Sequence, residues 1–130
     1  HTPRVAFLSF SSFGRPASQI TQAARDAAAV LDKRKVDFEY EGEMTADIAL
    51  DFDLMQSSYP FSRLTAAANI LVMPGLHSAN ISFNLMQQLG GGTVIGPMIL
   101  NAEFPFQIIP MNATVNDLVN AAALAAYESL

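Results

Sequence analysis

Arg4-Val-Ala-Phe-Leu-Ser-Phe10 is a short, nearly continuous apolar run, broken at once by Ser11, Ser12, Gly14 and Pro16. A strand covered on both faces by helices meets no water on either side, so it loses the apolar-polar alternation of a half-exposed strand. This run fits such a strand in a parallel sheet. The alanine-rich stretch that follows, Ser18 to Lys33, supports a helix with Ile20, Ala23, Ala24, Ala27, Val30 and Leu31 on one face. Ser18 stands where its N-cap is expected.

Working outward, Phe38-Glu-Tyr-Glu41 alternates as a strand does, with Gly42 as its expected end, and Thr45 is placed to cap a short helix from Ala46 to Leu50. Asp51 to Ala68 has poor periodicity, interrupted by Pro60, and reads as an irregular connection with room for a helical turn. Ile70-Leu-Val-Met73 is a second continuous apolar strand, stopped by Pro74-Gly75. Ile81, Leu85, Met86 and Leu89 have helical spacing within Ser78 to Leu89, and Gly90-Gly-Gly92 ends that helix. Thr93 to Leu100 predicts a strand bent at Gly96-Pro97, Gln107-Ile-Ile109 a further short strand, and Thr114 the cap of a closing helix from Val115 to Ser129. The alternation of strands and helices predicts an α/β fold of three layers, a doubly wound and largely parallel sheet with helices on both sides.

The 130 residues bound one compact unit with a single core. The apolar fraction is 51% with a mean hydropathy of +0.25, and 15% of residues are charged, against about 25% in an average globular domain. So little polar covering implies that part of the surface is normally buried against something else. A net charge of -5 opposes phosphate neutralisation and argues against nucleic acid as a partner. No stretch approaches the ~20 apolar residues of a membrane span, so a soluble, cytoplasmic location is expected. The absence of cysteine excludes disulfide and thiolate chemistry, and His1 and His77 are too far apart to form a local metal motif.

Ligands of open α/β sheets gather where strand C-termini meet helix N-termini. Ser9-Phe-Ser-Ser-Phe-Gly-Arg15 offers three hydroxyls, a glycine and a cation there, and reads either as a phosphate-contacting loop or as a solvated turn that needs Gly14. It matches neither the Walker pattern nor the dinucleotide glycine fingerprint. Pro74-Gly-Leu-His77-Ser78-Ala-Asn80 offers hydrogen-bonding groups for a ligand or a neighbouring chain, or else a cap and a satisfied histidine. Nothing in it signals an activated nucleophile. Glu39, Glu41, Glu43 and Asp47 are expected to face solvent and not to hold a metal, since no glycine-centred calcium loop accompanies them. The catalytic inventory is poor.

Several blocks in order resemble the phosphotransacetylases: Arg4-Val-Ala-Phe-Leu-Ser9, Gly42-Glu-Met-Thr-Ala-Asp47, Ala68-Asn-Ile-Leu-Val-Met-Pro74, His77-Ser-Ala-Asn-Ile81 and Leu89-Gly-Gly-Gly-Thr-Val-Ile-Gly-Pro97. The resemblance spans nearly the whole chain but only the C-terminal part of a domain that in this family exceeds three hundred residues. It implies the three-layer fold shared with isocitrate and isopropylmalate dehydrogenases. Phe38 to Met44, Tyr59-Pro-Phe-Ser-Arg-Leu64, Met73 to Asn80 and Asn120 to Tyr127 look most like bacterial hybrid malic enzymes, in which a phosphotransacetylase-like domain follows a malic enzyme portion. True phosphotransacetylases usually carry Asp-Ala-Gly-Asn where this chain has His77-Ser-Ala-Asn80.

The resemblance also implies a lost site. Active phosphotransacetylases carry a Ser-Arg pair before the last helix, followed by an Asp. The arginine holds the acyl phosphate, and the Ser and Asp position the thiol of coenzyme A. Alignment on Ala113-Thr-Val-Asn-Asp117 puts Pro110 and Met111 at the pair and Asp117 at the acid. Neither a proline nor a methionine can stabilise a phosphoryl transfer state electrostatically.

The implied role is therefore regulatory and oligomerising, with no catalytic residue in the chain. Acetyl-CoA would be the effector, bound through His77, Ser78, Asn80, Met111, Asn112, Thr114 and Asp117. Ser78 and Thr114 also read as caps, Met111 as packing, and Asp117 as a charge facing the positive end of its helix. The resemblance further implies a parent enzyme using NADP or NAD and a divalent cation (Mg or Mn), with none of these held by this segment. Its implied partners are the rest of the same polypeptide and further copies of it, with no membrane contact.

Overall fold

The computed structural model describes residues 1–129. In chain order the elements are β1 (Arg4–Leu8), α1 (Gln22–Lys33), β2 (Glu39–Met44), α2 (Ala46–Leu50), α3 (Phe52–Ser58), β3 (Ile70–Val72), α4 (Leu76–Leu89) and α5 (Val115–Glu128). The strands form one parallel sheet in the order β2-β1-β3, so the opening apolar run is the central strand. Val5, Ala6 and Leu8 are buried, as a strand covered on both faces requires. Ala6 and Leu8 pack into a cluster with Met44, Ile48, Ala49, Met55, Leu64 and Ala68. Val5 lies outside that cluster, on the opposite face by strand alternation, and α1 packs against β1 and β2.

The chain divides into two compact units, His1–Phe83 and a second from Asn84 onward. Among the described residues every buried side chain lies at or before Ala68, so the core belongs to the first unit. Neither α4 nor α5 has a buried residue, and Leu89, Leu100, Phe104, Ile108 and Tyr127 are all exposed.

Several boundaries differ from expectation. Helix α1 starts after Thr21 instead of Ser18, whose hydroxyl accepts from Ile20 N at 3.1 Å in a local turn. Thr45 does stand before α2, but without a side-chain cap bond. The irregular connection contains a true helix, α3, because the Asp51 carboxylate accepts from Leu54 N at 2.9 Å and the fully buried Met55 anchors it. The runs 93–100 and 107–109 form no strand. A strand needs a neighbour for its backbone groups, and here the Gln107 side-chain amide stands in for one. It accepts from Ile99 N at 3.1 Å and donates to Ile99 O at 3.2 Å.

Strand β2 continues through Gly42 to Met44. Gly42 has φ +152°, and a Cβ there would lie 2.8 Å from Phe7 Cβ and 2.9 Å from Phe7 O on the neighbouring strand. Only glycine lets the two backbones approach this closely. Gly42→Ala should therefore cost about 3 kcal/mol, read as a lowered urea midpoint. An unchanged midpoint would show that the β1-β2 pairing does not depend on this contact.

Candidate functional site

Beyond β1 the chain enters the loop 9–15, whose shape comes from β2. Phe7 pairs with Gly42 but Leu8 pairs with Met44, so Glu43 is the extra residue of a bulge and re-aims its side chain. The Glu43 carboxylate, fully buried, accepts from Ser11 Oγ at 2.6 Å and Gly14 N at 2.9 Å. It also accepts from Arg25 Nη1, at 2.8 and 2.9 Å to its two oxygens. The Glu43 carbonyl accepts from Phe13 N at 2.8 Å. Ser12 Oγ accepts from Thr45 N at 3.0 Å, tying the loop to the start of α2.

Phe13 and Gly14 are both left-handed, at φ +50° and +77°. The aromatic conformer is held by ring contacts to Tyr59 and Phe61 at 4.8 and 4.9 Å.

The β2 carboxylates thus do not all face water. Glu41 is also buried, accepting from Arg63 N at 2.9 Å and Nη2 at 3.0 Å, while Arg63 Nη1 reaches Asp32 at 2.6 Å. The Arg63 guanidinium lies 4.6 Å over the Tyr40 ring. Glu39 accepts from Thr65 N and Oγ1 at 2.9 and 2.8 Å. Local alternation cannot reveal these partners, since Arg25 and Arg63 lie 18 and 22 residues away from Glu43 and Glu41.

Burial pushes the Glu43 carboxyl up, but hydrogen bonds from Ser11, Thr21 and Gly14 N and the Arg25 charge outweigh it and hold it below the ordinary glutamate range. Asp32 is lowered by the Tyr40 hydroxyl and Arg63, and Glu39 by the Thr65 amide and hydroxyl. No group of three or more His, Cys, Asp or Glu side chains among the described residues is arranged to hold a metal.

Beside the loop lies a cleft of about 330 Å³ at the C-terminal ends of β1 and β3. Leu8, Ser9, Phe10, Ile20, Met73 and Pro74 line it, with Ala46, Ser78 and Ser82. None of these side chains is charged, so the cleft suits an uncharged, largely apolar portion of a ligand. That differs from the phosphate-contacting option for this loop, because Ser11 and Gly14 N are engaged by Glu43.

The expected site residues fall into two groups, one in each unit. His77, Ser78 and Asn80 lie in the first turns of α4 instead of a preceding loop. Ser78 lines the cleft, and its hydroxyl donates to the Gly75 carbonyl at 2.9 Å, so it is not the N-cap. His77 and Asn80 are exposed.

In the second unit Met111 is fully exposed at 107% and Asn112 is exposed. Thr114 and Asp117 form a capping box. Thr114 N and Oγ1 donate to the carboxylate, both at 2.8 Å, and Asp117 N donates to Thr114 Oγ1 at 3.3 Å. These bonds hold Asp117 below the usual carboxylate range, the Thr114 amide foremost. Pro110 and Asp117 also line a small cavity of about 90 Å³ with Gln87, Gln107 and Asn120. Sequence reasoning missed Glu43, Arg25 and Thr21; a glutamate directly after a strand glycine was the one visible signal.

The sign of the Glu43 effect follows from its depressed pKa. Its stabilisation is present above the unfolded value and is lost as pH falls through the folded one. Glu43→Gln should cost about 3 kcal/mol near neutral pH, at the low end for a broken buried pair because the Arg25 side chain keeps 28% exposure. The denaturation free energies of wild type and variant should converge as the solution is acidified, and parallel curves would refute the assignment.

The profile of the family described as Phosphate acetyl/butaryl transferase matches residues 1–126. An NADP-dependent malic enzyme of Rhizobium meliloti is 50% identical over 129 residues, 99% of this chain and 17% of that protein. A phosphate acetyltransferase of Paracoccus denitrificans is 35% identical over 98% of this chain and 40% of that protein. A solved phosphotransacetylase from Streptococcus pyogenes superimposes with a TM-score of 0.89 at 27% identity, covering 99% of this chain and 40% of its own. The chain thus spans about a sixth of the malic enzyme and two fifths of the transferases.

Proposed function

This chain belongs to the phosphate acetyl/butaryl transferase family, and from that premise we propose that it is the regulatory and oligomerising C-terminal part of a malic enzyme, sensing acetyl-CoA without transferring the acetyl group. The parent would oxidatively decarboxylate malate to pyruvate and carbon dioxide with NADP or NAD and a divalent cation, both held elsewhere in the polypeptide. The observation that carries this reading is the 50% identity over nearly the whole chain to a malic enzyme, against 35% to a phosphate acetyltransferase.

The local chemistry supports the non-catalytic part. Where the family resemblance expects Ser-Arg, this chain has Pro110-Met111, which offers neither hydroxyl nor charge. The carboxylate expected to serve the thiol, Asp117, is engaged by Thr114 in the cap of α5. Without a cation at the acyl phosphate, the transfer state lacks the electrostatic stabilisation on which its rate depends.

Acetyl-CoA sensing through His77, Ser78, Asn80, Met111, Asn112, Thr114 and Asp117 is supported by the uncharged cleft that Ser78 lines. A ligand of this kind regulates only if it binds two quaternary states with different affinity. The many exposed apolar side chains from Leu76 onward support contacts with the remaining polypeptide and with further copies.

Titration calorimetry of acetyl-CoA into the complete polypeptide, paired with malate turnover, should give saturable binding together with altered turnover. Binding that leaves turnover untouched would remove the regulatory role. The family membership also favours a second reading, an active phosphate acetyltransferase. Phosphate added to the same protein should release no CoA from acetyl-CoA, and robust release would establish that second reading instead.

A further inference from the structure

We propose that Glu43 is the positioning residue of the cleft at the C-terminal ends of β1 and β3, setting its walls without touching what binds there. Two of those walls come from the stretch between β1 and α1, which has no regular structure of its own: Ser9 and Phe10 on one side, Ile20 on the other. Ser9 N still donates to Met44 O of β2 at 2.9 Å, but Phe10 and Ile20 lie outside any strand or helix, so side-chain bonds carry much of their placement. The Glu43 carboxylate fixes the first wall from behind, through Ser11 Oγ and Gly14 N. It fixes the second through Arg25, whose guanidinium also donates to Ser18 O at 3.1 Å and Thr21 Oγ1 at 2.9 Å. One buried carboxylate thus sets the spacing of two segments that face each other across the cleft.

Glu43 is not itself among the lining residues, and its oxygens are occupied by donors. The cleft is left uncharged although a glutamate and an arginine stand behind its walls. Phe10 and Ile20 remain 58% and 78% exposed, so packing does not lock them. Their placement relies on the polar network instead.

The choice of acetyl-CoA as probe rests on the reading given above, so the test has one arm that does not use it. In the full chain, Glu43→Gln should speed amide hydrogen exchange at Gly14, whose N–H donates to the carboxylate, by about tenfold, the loss expected for a charge-assisted hydrogen bond. It should also weaken acetyl-CoA binding by about tenfold, measured well below the melting temperature of each variant. Arg63→Gln serves as the control, because it breaks the other ion-pair network of β2. A merely structural role for Glu43 predicts that both variants lose stability while neither changes loop exchange or affinity among folded molecules.

Unchanged exchange in Glu43→Gln, or an equal rise in Arg63→Gln, overturns the proposal. Should the wild-type protein not bind acetyl-CoA, the regulatory reading fails, and the exchange comparison decides the positioning role alone. If Glu43→Gln does not fold, Ser11→Ala removes a single bond of the same network and should speed loop exchange by about threefold. No change there counts against the proposal.

Discussion

A carboxylate taken out of water must be met by donors on every side, and Glu43 meets that demand by drawing three segments together. The bulge in β2 supplies the carboxylate, the loop after β1 supplies Ser11 and Gly14 N, and α1 supplies Arg25. The bulge exists because Gly42 lets β2 lie against Phe7 more closely than any side chain would allow. The cleft walls and the seating of α1 on the sheet follow from this one placement, while the left-handed Phe13 is held by the Tyr59 and Phe61 rings. Its geometric effect exceeds its energetic worth, since a buried pair offsets much of its attraction with desolvation. What the pair secures is one arrangement out of many for a stretch lacking helix or strand.

The two units obey different physics. In the first, the Met44-Met55-Leu64 cluster buries one face of β1, Val5 is buried on the other, and α1 packs against β1 and β2. In the second, apolar side chains stay exposed, and the runs 93–100 and 107–109 keep strand-like composition without strand partners. The Gln107 amide pairing with Ile99 satisfies one pair of backbone groups there. The low charge content carries the same message in the composition, since surface meant for water is usually more polar.

Elements with strong local patterns were legible in the sequence. β1 and β3 are continuous apolar runs, α1 and α4 have helical apolar spacing, and α5 announces its start through Thr114. The α3 helix was obscured by Pro60, although Asp51 ahead of Phe52, Leu54 and Met55 is itself a capping signal. The loop 9–15 was legible as a place for binding, but its anchor was not. Alternating glutamates read as a solvated strand face, and only the approach of Arg25 and Arg63 from other elements turns Glu43 and Glu41 inward. The candidate residues His77, Ser78 and Asn80 were legible as a group, while their place on the first turns of α4 was not.

By itself the sequence determined the helices and strands with strong local patterns, the parallel α/β class and the family, because all of these rest on short-range periodicity or on blocks of residues in order. Tertiary structure alone decided which carboxylates are buried, where β2 bulges, that the core lies in the first unit, and that two strand-like runs stay unpaired. The physical reason is common to all four. Strand pairing and the neutralisation of a buried charge are completed by partners far away in the chain, and local sequence carries no record of which partner arrives.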